Sequence, residues 1–143
     1  MESDKELNTF DLTMLAYYFD GAKGIPLSGE WISFKEIPGG MFYAQAFQGY
    51  SGNELTKVFA DDLDAFIQAN RNLGGKRENF GSAAFSYQIL PFVPIMVVCW
   101  LGDEDFPTSY RMLFDANAEH YLVTDGYAIL GSNLTRRLIK AAN

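Results

Sequence analysis

The chain has one cysteine, Cys99, and one histidine, His120, in 143 residues. A lone cysteine excludes an intrachain disulfide and any all-cysteine iron–sulfur or zinc site within one chain. A single imidazole likewise falls short of the usual zinc set. Basic residues are scarce: 11 Lys and Arg against 18 Asp and Glu leave a formal charge of −7. Such a chain repels nucleic acid and anionic membranes at long range, so neither is an expected partner. Its one basic cluster, Arg136, Arg137 and Lys140, falls at the end of a predicted helix, where cations favour the negative end of the dipole; the competing reading is anion binding. No apolar run is long enough to span a bilayer: Ile89 to Leu101 is the longest and contains Pro91 and Pro94. The opening residues carry Glu2, Asp4 and Glu6 instead of the basic start of a signal peptide, which makes the cytoplasm the expected setting. There is no Gly-x-Gly-x-x-Gly after a strand, no P-loop and no Gly-x-Ser-x-Gly elbow.

What is abundant is apolar and aromatic: 48% and 15% of residues, with 12 Phe and 8 Tyr. That is enough for one real core, so a single domain over residues 1–143 is expected, with Met1 to Glu6 as a flexible acidic tail. The spacing of Leu7, Phe10, Met14, Leu15, Tyr18 and Phe19 predicts a first helix, ended by Gly21, Gly24 and Pro26. Trp31 to Phe34 reads as a short strand and Pro38-Gly39-Gly40 as a turn; Met41 to Phe47 follows as a strand or short helical turn, and the two halves can pair as a hairpin. Ser51-Gly52-Asn53-Glu54 has the spacing of a capping box. The stripe Leu55, Val58, Phe59, Leu63, Phe66 and Ile67 then predicts one helix running to Leu73-Gly74-Gly75, with Asp61, Asp62 and Asp64 on its wet face.

Phe85, Tyr87 and Ile89 alternate with polar residues as a half-buried strand, and Ile95 to Leu101 is apolar on both faces, as a central strand would be. Tyr110, Met112 and Phe114 mark a return strand across the Gly102 to Pro107 loop. A last helix starts at Thr124 or Asp125, with Tyr127, Leu130, Leu134, Leu138 and Ala141 inward. Strands and helices without β-α-β alternation indicate an α+β fold: an antiparallel sheet of three to five strands against about three helices.

Polar chemistry concentrates at the ends of these apolar elements. Asp103, Glu104 and Asp105 share one turn, suited to a divalent cation or cationic ligand, or simply to a hydrated loop that discourages edge aggregation. His120 follows Glu119, and an acid beside an imidazole raises its pKa, which makes it the candidate general acid or base. Arg111 is the only basic residue between Arg77 and Arg136. Half-buried on its strand it needs a carboxylate, from Asp115, Asp105, Glu36 or a ligand. Glu30, Trp31 and Asp115 complete a surface of charged and aromatic groups.

Gly29-Glu30-Trp31-Ile32-Ser33-Phe34-Lys35-Glu36-Ile37-Pro38-Gly39-Gly40, Leu73-Gly74-Gly75, Leu90-Pro91-Phe92-Val93-Pro94, Gly102-Asp103-Glu104-Asp105-Phe106-Pro107 and Leu113-Phe114-Asp115 form an ordered set of motifs over roughly Leu15 to Leu138. The set resembles a prokaryotic family catalogued as domain of unknown function 3786. The resemblance implies an anaerobic bacterial or archaeal setting. Some relatives join this domain to a cysteine-rich iron–sulfur segment; this chain has none, so any redox link would run through an iron–sulfur partner protein. Relatives with more chain before the first helix imply that the sheet here lacks an edge or borrows one by dimerising.

Three functional readings follow. The first is a non-catalytic accessory module binding a small molecule or a protein through Glu30, Trp31, Asp103 to Asp105, Arg111, Asp115 and His120. The second is a metal-assisted enzyme with the acidic loop or Asp115 as ligands and His120 as acid/base. The third is a homodimeric structural subunit. The residues name no cofactor.

Overall fold

A computed structural model of the chain describes residues 29–90, 93–117 and 124–142. The acidic tail, the predicted first helix and His120 lie outside the described residues. The architecture is α+β, built on a five-stranded antiparallel sheet. In chain order the elements are β1 (Trp31–Ser33), two 3₁₀ turns (Phe34–Glu36 and Gly40–Phe42), α1 (Ala44–Tyr50), α2 (Gly52–Phe59), α3 (Leu63–Leu73), β2 (Lys76–Glu78), β3 (Ala83–Leu90), β4 (Val93–Trp100), β5 (Ser109–Asp115) and α4 (Thr124–Ala141).

The sheet order is β1-β5-β4-β3-β2, and its logic is hydrophobic. Strand β4 holds the middle because both of its faces are apolar. Val93, Ile95, Val97 and Cys99 face the helices, while Met96 and Val98 face the other way with Ala84, Trp31 and Leu113. Its neighbours alternate: Tyr110, Met112 and Phe114 of β5 join the helix-side core, and Arg111 between them is exposed. The expected hairpin between Trp31–Phe34 and Met41–Phe47 does not form. Trp31 pairs with Asp115 and Ser33 with Leu113, because the second half coils into α1, where Phe47 is buried against Phe34 at 4.4 Å. Among the described residues both sheet edges are short strands, which limits the unpaired backbone they present.

The long helix read through Leu55–Leu73 is two helices. Ala60 takes a left-handed φ of 46°, Asp62 caps α3 by accepting from the Ala65 amide at 3.0 Å, and the Ala60 carbonyl accepts from the Tyr110 phenol at 2.6 Å. The break lets Phe59 and Phe66 both meet Tyr110, at ring separations of 6.2 and 5.2 Å. Such aromatic pairs contribute roughly 0.5–1.5 kcal/mol each beyond burial. Asp61 and Asp62 are therefore structural ties as well as surface charges, since Asp61 accepts from the Thr108 hydroxyl.

The capping box expected at Ser51 does not form either. Only Ser51 separates α1 from α2, so its buried hydroxyl donates back to the Phe47 carbonyl while Glu54 pairs with Lys57 at 2.9 Å. The reciprocal motif occurs at Ser33, whose amide donates to Glu36 at 2.8 Å. That backbone bond, then the Ser33 hydroxyl, holds the Glu36 carboxyl below its usual pKa. The predicted stop at Gly74 is present, with φ at 91°.

Candidate functional site

The structure separates the residues that the sequence groups. Strand β5 rises about 3.4 Å per residue, so its two ends are roughly 20 Å apart. At the far end are Glu30, Trp31 and Asp115. The buried Asp115 carboxylate accepts from the Asn117 amide at 2.9 Å and the Gly29 amide at 3.2 Å, and the Glu30 carbonyl accepts from Ala116 at 2.9 Å. Asp115 thus fastens the entry of β1 to the exit of β5.

At the near end is the Asp103–Asp105 loop. Asp103 Oδ1 accepts from the amides of Asp105 at 2.8 Å and Phe106 at 3.0 Å, which fixes the turn, while Glu104 and Asp105 point to solvent. Among the described residues no group of three or more His, Cys, Asp or Glu is placed to hold a metal ion. Arg111 is exposed instead of half-buried, and it forms no ion pair with a described residue. It borders a cleft of about 90 Å³ shared with Lys35, Ser33 and Gln48. One surface therefore does not unite Asp103, Arg111, Trp31 and Asp115.

A roomier site lies at the other side of the sheet. Strand β3 runs past β2, whose pairing stops at Lys76 opposite Ser86. Beyond that point the edge of β3 faces α4 across a groove of about 670 Å³, within the range of small-molecule sites. Its walls are apolar: Leu73 from α3, Tyr87 and Ile89 from β3, and Leu130 and Leu134 from α4. Ser86, Gln88 and Asn133 add polar groups, and Lys76 and Arg137 add two positive charges. Neither cation has an ion pair or side-chain hydrogen bond among the described residues. No carboxylate is among the described lining residues; Glu78 lies beside the groove, accepting from the Ser86 hydroxyl at 2.5 Å.

The floor is fixed from behind. The Tyr87 phenol donates to Asn70 Oδ1 at 2.6 Å, and the fully buried Asn70 donates to the Phe66 carbonyl at 2.8 Å. Burial raises the Tyr87 pKa well above its ordinary value, so this phenol stays protonated and committed to Asn70. A Cβ on Gly75 would come within 2.6 Å of that phenol oxygen, so only glycine lets β2 start this close to the ring.

Sequence reasoning missed this groove for two reasons. Arg137 was grouped with Arg136 as a helix-end charge; Arg136 does stay on its own helix, bonded to Ser132 at 2.9 Å, but Arg137 borders the groove. Lys76-Arg77-Glu78 has no apolar alternation to mark a strand, although Gly74-Gly75 before it and Gly81 after it bracket a hairpin arm.

A protein-family model described as Domain of unknown function (DUF3786) matches residues 1–137. No curated protein and no solved structure matches the chain.

Proposed function

The chain belongs to the DUF3786 family, and from the groove we propose that it is a non-catalytic binding module holding a partly apolar, negatively charged molecule between β3 and α4. One observation carries the reading: in a chain of net charge −7, two cations that have no ion partner among the described residues border an apolar groove whose described lining has no carboxylate. An apolar body would bury against Leu73, Ile89, Leu130 and Leu134 while its anionic group meets Lys76 and Arg137. The non-catalytic part rests on the groove's chemistry. The described lining offers a Tyr87 phenol held protonated by burial and committed to Asn70, with the two cations Lys76 and Arg137, a set suited to holding an anion. A reducing, cytoplasmic setting belongs to the same reading and is supported by the free, buried thiol of Cys99. Among the described residues no helix is long and apolar enough to cross a membrane.

Decanoate and decanol test this in a thermal-shift titration. Decanoate raises the melting temperature of the wild type more than decanol does, by the usual mass action of a ligand on the native state. The Lys76→Ala/Arg137→Ala double variant weakens decanoate binding about tenfold, the loss of two exposed charge contacts. Equal shifts with both ligands, or with wild type and double variant, would remove the anion from the proposal.

A further inference from the structure

Strand β3 is longer than the strand that borders it. β2 pairs only with Ala84 to Ser86, and Tyr87–Leu90 extend past it; among the described residues no strand lies on that side. Successive residues of a strand turn their amide and carbonyl to alternate sides, so part of this overhang aims its backbone groups toward the groove. An edge of this kind is a ready template for another strand. The register with β4 shifts between Gln88 and Leu90, which limits the regular edge to a few residues.

Direction determines which end of a chain fits. β2 runs antiparallel to β3, so a peptide pairing antiparallel with the overhang lies in line with β2 and runs the same way. Its carboxyl end then points at Lys76, the first residue of β2, where the protein's own chain occupies the line and an added strand has to stop. A free C-terminal carboxylate meets Lys76 there, with Arg137 of α4 bordering the same groove. A parallel peptide would bring its ammonium group to these cations, and like charges oppose that arrangement. Alternate side chains of the antiparallel peptide fall on the face that carries Tyr87 and Ile89, where Leu130 and Leu134 offer apolar surface. We propose, resting on the binding reading above, that the groove receives the extended C-terminal end of another protein, added to the sheet as a short antiparallel strand beside Tyr87–Leu90 with its carboxylate at Lys76 and Arg137.

Fluorescence anisotropy tests this with an N-terminally labelled probe, a short peptide that alternates serine and valine and ends in a free carboxylate. The probe binds, and decanoate displaces it. Its C-terminal amide binds at least about tenfold more weakly, and the Lys76→Ala/Arg137→Ala variant reduces the acid to the level of the amide. Two N-methylated probes, each blocked at one of the two alternating sets of amides, separate strand pairing from simple burial. Methylation of the set that faces β3 abolishes binding, and methylation of the other set leaves it. Equal binding of the two methylated probes, or of acid and amide, overturns the proposal. So does a probe that fails to bind a protein whose melting temperature decanoate still raises, and the anion-binding groove then stands without the peptide. If decanoate fails as well, both fall.

Discussion

Cys99 illustrates how much an individual side chain's environment decides. It faces the helix layer from β4, fully buried opposite Tyr110. Burial, the largest influence, and the nearby Asp61 charge both push its thiol pKa up. Native protein at pH 8 should therefore leave Cys99 unlabelled by iodoacetamide, with alkylation appearing only as urea unfolds the chain; rapid labelling of folded protein contradicts this placement. Glu36 gives a pH test of opposite character. Its native pKa is depressed, so around and below the usual carboxylate range the unfolded chain binds more protons than the native one. The stability that Glu36 contributes is present above the unfolded value of about 4.3 and is lost as pH falls through the native one. The melting-temperature gap between wild type and Glu36→Gln should shrink as pH is lowered from 6 toward 3; a constant gap contradicts the linkage.

At the scale of elements, close approach does what hydrophobic patterning cannot. A Cβ on Gly131 would stand 2.6 Å from the Phe47 ring, so α4 lies against α1 only because that position is bare. Gly131→Ala should cost about 1–3 kcal/mol in urea denaturation, the usual range for overpacking. Gly52→Ala should cost more, because its Cβ would meet the Tyr110 carbonyl at 2.0 Å, and backbone gives way less than a ring. Asp62→Ala removes the cap of α3 and should cost roughly 0.5–2 kcal/mol. The same elements show what was legible in the sequence. β3, β4, β5, their loop and α4 could be read, because alternation and stripe length are properties of single segments. The split at Ala60 could not, because the force that imposes it, the Tyr110 phenol on the Ala60 carbonyl, comes from a strand 50 residues away. Nor could the pairing of β1 with β5 or the turning of the Ser51 hydroxyl toward Phe47, both of which depend on what arrives alongside.

For the molecule as a whole, the candidate site was less legible than the fold. Asp103, Arg111 and Asp115 were drawn together by proximity in sequence, yet a strand separates as it proceeds, and β5 carries the acidic loop and Asp115 to opposite ends. Lys76 and Arg137 are distant in sequence and border one groove only because β3 outruns β2 and α4 lies across the gap. Charge distribution follows the same architecture: acids crowd the β4–β5 loop and the α2–α3 junction, whereas no described carboxylate lines the groove at the β3 edge. The most direct measurement is an amide chemical-shift map of ¹⁵N-labelled protein titrated with decanoate. The account predicts shifts confined to residues 73–76, 86–89 and 130–137, absent in the Lys76→Ala/Arg137→Ala variant. Shifts centred instead on residues 102–108, or none at all, would contradict it.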